Sequence, residues 1–251
     1  MKKYVETPQG KYYYTPVSLF LGVKKIDVPK AKENLLLLNK LAKENNFKFV
    51  LFFGSLLGAV REKGLIKHDE DIDVIILSED KDKFLNFLHV IRPFGFELIR
   101  YDRRGDLYSI MRNGEYIDIY VMFEISPGVR GTGGFLYPEK YMKNLTQYEL
   151  FGDKFWVPID YEEALTFTYG ETWRTPIKYA DFEMNKSKRC FFISFWWFMN
   201  NVAPLWLYKF ILGLKDKQKV EDYNKMVDVV LKNYPETKGV RKISRKSDRV
   251  G

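Results

Sequence analysis

Two carboxylates one residue apart, Asp71 and Asp73, stand in a run that is otherwise apolar: Ile72, Val74, Ile75, Ile76 and Leu77. Such a run reads as a buried strand. The side-chain period of a strand is 2, so both acids point to one face. Like charges at the end of a buried strand repel each other unless a cation lies between them. Hard cations such as Mg²⁺ accept carboxylate oxygens and complete their shell with water and phosphate. Upstream, Gly54-Ser55-Leu56-Leu57-Gly58-Ala59-Val60-Arg61 reads as the opening of a helix. Its free N–H groups, with no side chain at Gly54, suit an anion. Metal site and anion site together are the minimal equipment for phosphoryl or nucleotidyl transfer.

The chain around this feature alternates between helix and strand signals. A helix is expected over 28–46, with Pro29 in its first turn and Asn45-Asn46 at its end. A strand follows over 47–53, a helix over 55–62, the acid-bearing strand over 71–77 and a helix over 80–91. Three strands are expected near 96–101, 107–112 and 115–124, the last two joined by the hairpin signal Asn113-Gly114. The third of them carries Asp118 among apolar residues. Residues 126–134 are glycine-rich and read as a loop. Gly152-Asp153 marks a hairpin between 148–151 and 154–158, and a helix over 161–169 stops at Gly170. Beyond Met184 the composition shifts: residues 191–199 are strongly aromatic, Asn200, Asn201 and Pro204 interrupt them, and an apolar stretch resumes over 205–214. Residues 220–232 suit a short amphipathic helix, and Lys238–Gly251, with six Lys/Arg and one Asp, reads as disordered. The expected organisation is an N-terminal segment over 1–27, a catalytic domain over 28–185, an aromatic and basic helical extension over 186–237 and a basic tail over 238–251.

A Gly-Ser, then Asp-x-Asp in an apolar strand, then a third acid on a later strand is the pattern of the nucleotidyltransferase (polymerase-β-like) fold. That fold is an α/β (α+β) arrangement with a mixed sheet flanked by helices. The match goes further. The segment from Gly54 to Val74, with His68-Asp69-Glu70-Asp71-Ile72-Asp73, closely resembles the signature of the LicD/fukutin-related family. A second segment, Tyr169-Gly170-Glu171-Thr172-Trp173-Arg174-Thr175-Pro176, is similar to that family's Tyr-Gly-x-x-Trp-x-x-Pro. The resemblance spans roughly residues 33–177; His68 stands where the family usually has Trp, and Glu70 where it usually has Asp.

This resemblance implies a metal-dependent transferase that moves a phospho-alcohol, such as phosphocholine or ribitol phosphate, from a CDP-linked donor to a sugar hydroxyl of a cell-surface glycan. CMP is then the leaving group. Asp71, Asp73 and Asp118 are the implied catalytic acids and the ligands of Mg²⁺ or Mn²⁺. Gly54, Ser55 and Gly58, with their N–H groups, are expected at the donor phosphates, and Arg61 adds charge if it faces inward. His68, Trp173 and Arg174 are expected to line the donor pocket. Each has a plainer reading: a loop histidine, a core tryptophan, a surface arginine. Two rival functions use the same acids or leave them idle. One is a nucleotidyltransferase that adds a nucleoside monophosphate to a small molecule or RNA end and releases pyrophosphate. The other is an inactive membrane-associated binding protein.

Charge refines the choice of partners. Residues 1–185 hold 26 Lys/Arg against 27 Asp/Glu, whereas 186–251 hold 15 against 6. A near-neutral catalytic part argues against nucleic acid as partner. The basic C-terminal quarter and its aromatic segment point instead to an anionic membrane surface that would carry a lipid-linked acceptor. Segment 191–214 has too many interruptions for a clean membrane-spanning helix, which leaves an interfacial element, preferred, or a helical hairpin in the core. The single cysteine, Cys190, excludes an internal disulfide. With no secretory signal read at the N-terminus, the expected location is cytoplasmic, peripheral on the inner face of the membrane.

Overall fold

The computed structural model describes residues 2–19, 24–102, 106–132, 135–176, 186–213, 216–233, 235, 241 and 242. The chain opens with a hairpin that the sequence reading missed, β1 (Lys3–Thr7) and β2 (Gly10–Tyr14). Its inward positions Val5, Tyr12 and Tyr14 join the main core. Helix α1 (Val28–Glu44) starts where expected, because the Asp27 carboxylate accepts the Lys30 N–H at 3.3 Å and Pro29 occupies the first turn. The next strand, β3, is shorter than expected: only Val50–Leu51 enters the ladder, and α2 (Phe53–Leu57) begins two residues early. Beyond α2 the chain widens into a π-helical turn over Gly58–Glu62 and ends on left-handed Lys63, with φ 53°.

The acid-bearing strand is β4 (Ile72–Leu77), followed by α3 (Lys81–Ile91). Then come β5 (Glu97–Asp102), β6 (Leu107–Arg112) and the long β7 (Glu115–Ser126). Asn113 and Gly114 both have positive φ, 55° and 81°, as a two-residue hairpin turn requires. The expected loop over 126–134 is instead largely strand. After a turn, β8 (Val129–Thr132) pairs back onto Phe123, Glu124 and Ser126, and β9 (Phe135–Pro138) adds to it. Glycine content misled here, because Gly131 sits inside β8, where an added Cβ would lie 2.7 Å from the Phe135 carbonyl oxygen. A short α4 (Lys140–Lys143), the hairpin β10 (Leu145–Leu150) and β11 (Asp153–Pro158), and α5 (Tyr161–Tyr169) complete the part built on the sheet. Helices α6 (Lys186–Asn201), α7 (Leu205–Gly213) and α8 (Asp216–Asn233) follow. Of the basic tail expected over 238–251, all but residues 241 and 242 lies outside the described residues.

The sheet runs β10-β11-β3-β4-β7-β6-β5, with β8 and β9 attached to the far end of β7. It is mixed, as expected: β4 and β7 are parallel neighbours, β11 and β3 likewise, and the other pairs antiparallel. Alternation along β4 sorts its residues cleanly. Ile72, Val74 and Ile76 face the main core with Leu35 and Leu38 of α1 and Phe84 and Leu88 of α3. Ile75 faces the opposite side, with Met122, Tyr137 and Tyr141. Asp71 and Asp73 fall on that second side by the same period. Asp73 lies directly beside Asp118 across the β4–β7 ladder. Helix α8 returns to the sheet, where Tyr223, Val227 and Val230 share a core with Val129 and Leu136.

Candidate active site

The corner between β3 and α2 fixes the first acid. Phe53 adopts φ 46°, unusual for a bulky residue, and turns the chain so that Gly54 and Ser55 face β4. The Gly54 N–H donates to Asp73 Oδ2 at 3.1 Å, and the Asp73 N–H donates to Ser55 Oγ at 2.7 Å. The anion met by this helix start is therefore the protein's own carboxylate. Ser55, expected at the donor phosphate, is buried and holds the backbone of Asp73. Gly54 is required for the same reason: a Cβ there would lie 2.5 Å from Asp69 Oδ2 and 3.1 Å from Asp73 Oδ2. Gly58 has a different task. Its Cβ would meet the Gly64 carbonyl oxygen at 2.6 Å, so it lets the following loop close against the helix.

The acids repel one another. Burial, then the charges of Asp73, Asp118 and Asp69, push Asp71 well above the usual carboxylate range. Burial, then Asp69 and Asp118, do the same to Asp73, against the hydrogen bonds from Gly54 and the Tyr120 hydroxyl. Asp118 is anchored from the neighbouring strands β6 and β5, on its own face of the sheet. Its Oδ1 accepts from Ser109 Oγ and its Oδ2 from an Arg100 guanidinium nitrogen, both at 2.5 Å, and Arg100 Nε also donates to Ser109 Oγ at 2.8 Å. Ser109 faces Asp118 directly in the β6–β7 ladder. Neither Arg100 nor Ser109 carries a sequence signal, because a single arginine or serine in a strand has no distinguishing spacing.

A cleft of about 830 Å³ opens at this corner. Of the residues expected at the site, Gly54, Arg61, His68, Asp73 and Trp173 line it. Ser55, Gly58, Asp71 and Asp118 are not among its lining residues, though Asp118 lies beside Asp73 in the sheet. Arg174 faces outward: its guanidinium stacks over the Trp173 ring, 4.3 Å from the centroid, and binds Glu162 Oε2 at 2.7 Å. Its expected place in the donor pocket is thereby corrected; the stack that holds it also covers the outer face of Trp173. Trp173 itself is a buried core tryptophan that borders the cleft, its Nε1 donating to Thr166 Oγ1 at 3.1 Å. Arg61 ties the two sequence motifs together by donating to the Trp173 carbonyl oxygen at 3.2 Å. A second guanidinium nitrogen meets Glu62 at 2.8 Å, while Nε is buried and has no hydrogen-bond partner. Asp69, Tyr120, Tyr137, Phe167 and, from α8, Met226 and Val229 also line the cleft without having been singled out in the sequence.

Among the described residues, no three acidic, histidine or cysteine side chains converge closely enough to enclose a metal ion unaided. The donor set nevertheless suits Mg²⁺, which is commonly held by one or two carboxylates plus substrate phosphate oxygens. The mutual repulsion of Asp71 and Asp73 is the electrostatic condition that such an ion relieves.

Residues 46–160 match the family described as LicD/FKTN/FKRP, nucleotidyltransferase domain. The match covers the Gly54–Val74 segment and Asp118 and ends before Tyr169-Gly170. Ribitol-5-phosphate transferase FKTN of Mus musculus is 27% identical over 162 residues, which cover 61% of this chain and 35% of that protein. Uncharacterized protein RP689 of Rickettsia prowazekii (strain Madrid E) is 30% identical over 120 residues, 47% of this chain and 43% of that protein. The chain thus spans less than half the length of these curated relatives. Among solved structures, the lincosamide antibiotic adenylyltransferase LnuA, lincomycin-bound, superimposes with a TM-score of 0.41 at 13% identity, covering 64% of this chain and 97% of that one.

Proposed function

For a chain whose residues 46–160 are a LicD/FKTN/FKRP nucleotidyltransferase domain, we propose a transferase that moves a phospho-alcohol from a CDP-linked donor to a sugar hydroxyl of a cell-surface glycan. The observation that carries the reading is the convergence at one cleft of Asp73, pinned by Gly54 and Ser55, with Asp69 beside it and Arg61 holding an unpaired buried N–H. A cleft of this size accommodates a nucleotide-linked ligand. The acceptor hydroxyl oxygen attacks the phosphorus that bears the alcohol, the bond from that phosphorus to the oxygen of CMP breaks, and CMP leaves with the electron pair. A phosphodiester then joins alcohol and sugar.

Asp71 and Asp73, with Asp118 beside them, would hold Mg²⁺ or Mn²⁺, which on binding neutralises charge developing on the diphosphate. Arg61 binds a phosphate oxygen through its spare N–H. Asp69 lines the cleft and takes the proton of the acceptor hydroxyl. Asp118 already has both carboxylate oxygens engaged and serves to hold the strand register and charge beside Asp73. Arg100 and Ser109 act through Asp118 as positioning residues. Trp173 forms the wall against which the donor lies.

The test is CMP release by purified protein with Mg²⁺, a sugar acceptor, and CDP-choline, CDP-ribitol or CDP-glycerol in turn. Titration calorimetry with CDP, CMP and UDP accompanies it. Metal-dependent binding of cytidine nucleotides and CMP release from one donor is the expected result. Release of pyrophosphate from a nucleoside triphosphate, with no turnover of any CDP-alcohol, would replace this reading with nucleotidyl transfer. Preference for UDP would point to a nucleotide-sugar donor, and binding of none of these would return the chain to the inactive reading.

A further inference from the structure

Helices α6 and α7 form a hairpin with a small core of its own. Trp196, Met199 and Tyr208 are buried between them, closed by Phe195, Ala203, Leu207 and Ile211. This cluster is separate from the clusters that make up the catalytic part. Burying it leaves a second set of large apolar side chains facing out. On α6, Phe191, Phe195 and Phe198 recur at steps of four and three, which is one helix face, and Val202 follows in the turn just beyond it. Phe195 is half-buried by the hairpin core, and the other three are exposed, Phe191 at 75%. On α7, Trp206 and Phe210 are one turn apart and 70% and 60% exposed. No Asp or Glu occurs from residue 186 to 214. Large apolar side chains exposed together in this way mark an interaction surface.

Charge says what covers it. The sequence places Lys186, Lys188 and Arg189 before the aromatic run and Lys215, Lys217 and Lys219 after it, and residues 186–251 hold 15 basic against 6 acidic residues. A second copy would bring the same positive charge against this face, whereas an anionic lipid surface complements both the charge and the apolar stripe. An exposed tryptophan with flanking lysines is what the boundary between headgroups and acyl chains selects. Neither helix crosses a bilayer. None among the described residues is long and apolar enough, and the 16 residues of α6 span only about 24 Å against roughly 30 Å of hydrocarbon. We infer that the α6–α7 hairpin docks the protein on an anionic membrane surface, with Phe191, Phe198, Val202, Trp206 and Phe210 entering the boundary layer and the net positive charge of residues 186–251 complementing the anionic lipid. The inference stands apart from the identity of the transferred group.

The experiment is flotation of the full chain with vesicles of phosphatidylcholine alone and of phosphatidylcholine mixed with phosphatidylglycerol, at low and high salt. The protein is expected to float with the anionic vesicles and at least about tenfold less with neutral ones or in high salt. Phe191→Ser/Trp206→Ser/Phe210→Ser is expected to reduce flotation at least tenfold while leaving the thermal melt in place, because all three side chains are exposed. Lys209→Glu, which keeps every aromatic, provides the electrostatic control and lowers flotation at low salt. A vesicle-induced blue shift of tryptophan emission should diminish in Trp206→Phe. Absence of flotation at low salt overturns the inference, as does flotation unaffected by the triple variant. A concentration-dependent dimer that the triple variant dissociates, with no vesicle binding, would assign the face to a second copy.

Discussion

Gly54 and Gly58 lie four residues apart in one motif, yet the structure gives their alanine variants opposite outcomes. At Gly54 the new methyl would stand 2.5 Å from Asp69 Oδ2 and 3.1 Å from Asp73 Oδ2. Ordinary contact begins near 3.4 Å, so the Asp69 carboxylate must retreat by close to an ångström and Asp73 by a few tenths. Both are side chains, and rotation relieves the clash. Alanine also favours the helix over glycine by about 0.5–1 kcal/mol, so the fold is expected to keep its stability. A displacement of about 1 Å in a reacting group costs on the order of 100-fold in rate. Gly54→Ala should therefore lose roughly two orders of magnitude in CMP release with a melting temperature near that of the native protein. At Gly58 the methyl would meet the backbone oxygen of Gly64 at 2.6 Å, and backbone cannot rotate away. Gly58→Ala should lose about 1–3 kcal/mol of stability, the usual cost of overpacking, while its folded fraction keeps activity within a few-fold. Thermal melts and initial-rate assays on the two variants decide the matter. Gly54→Ala active within threefold would show that these carboxylates need not occupy the positions described.

Three further outcomes are expected. Asp71→Asn removes repulsion from Asp73, worth about 2 kcal/mol for charges near 7 Å apart at an effective dielectric of 20; the metal-free variant should be more stable by roughly 1–2 kcal/mol, and the rise in melting temperature expected when Mg²⁺ is added to the native protein should be absent from the variant, whereas an equal Mg²⁺ response in both would remove Asp71 from the proposed metal site. Arg61→Ala should weaken CDP binding by roughly 10- to 150-fold, since a charge-assisted hydrogen bond is worth roughly 1.5–3 kcal/mol, and calorimetry showing equal affinity would place the phosphates elsewhere. Glu79 is held down to about 2 by its hydrogen bonds to the fully buried Arg130 guanidinium. A depressed carboxylate pKa adds stability above its unfolded value near 4.5, lost as pH falls toward 2. Because the Glu79 side chain is 56% exposed, the full linkage value is discounted to about 1 kcal/mol. Glu79→Gln should then be less stable at pH 7 and match the native protein near pH 2, as urea titrations at the two pH values would show; a difference that persists unchanged at low pH would refute the pairing.

The sequence determined what depends on a few neighbouring residues. The period of 2 placed Asp71 and Asp73 on one face of β4, Asn113-Gly114 set a hairpin, Asp27-x-Pro29 opened α1 and Gly170 closed α5, because backbone geometry and side-chain direction repeat locally. It also carried the Gly54–Val74 segment that lies within the match to the LicD/FKTN/FKRP nucleotidyltransferase domain. The same local logic misread residues 126–134, where glycine signalled close packing between β8 and β9 rather than a loop. Tertiary structure alone decided which strands adjoin, and with that which groups meet. Asp118 acquires Ser109 and Arg100 only because β7, β6 and β5 lie side by side. Asp73 claims the Gly54 N–H because β4 passes under the β3–α2 corner. Arg61 reaches the backbone of Trp173 across 112 residues of chain, and α8 supplies Met226 and Val229 to a cleft whose acids lie some 150 residues earlier. These contacts follow from the burial of apolar faces between whole elements, which no spacing along the chain encodes.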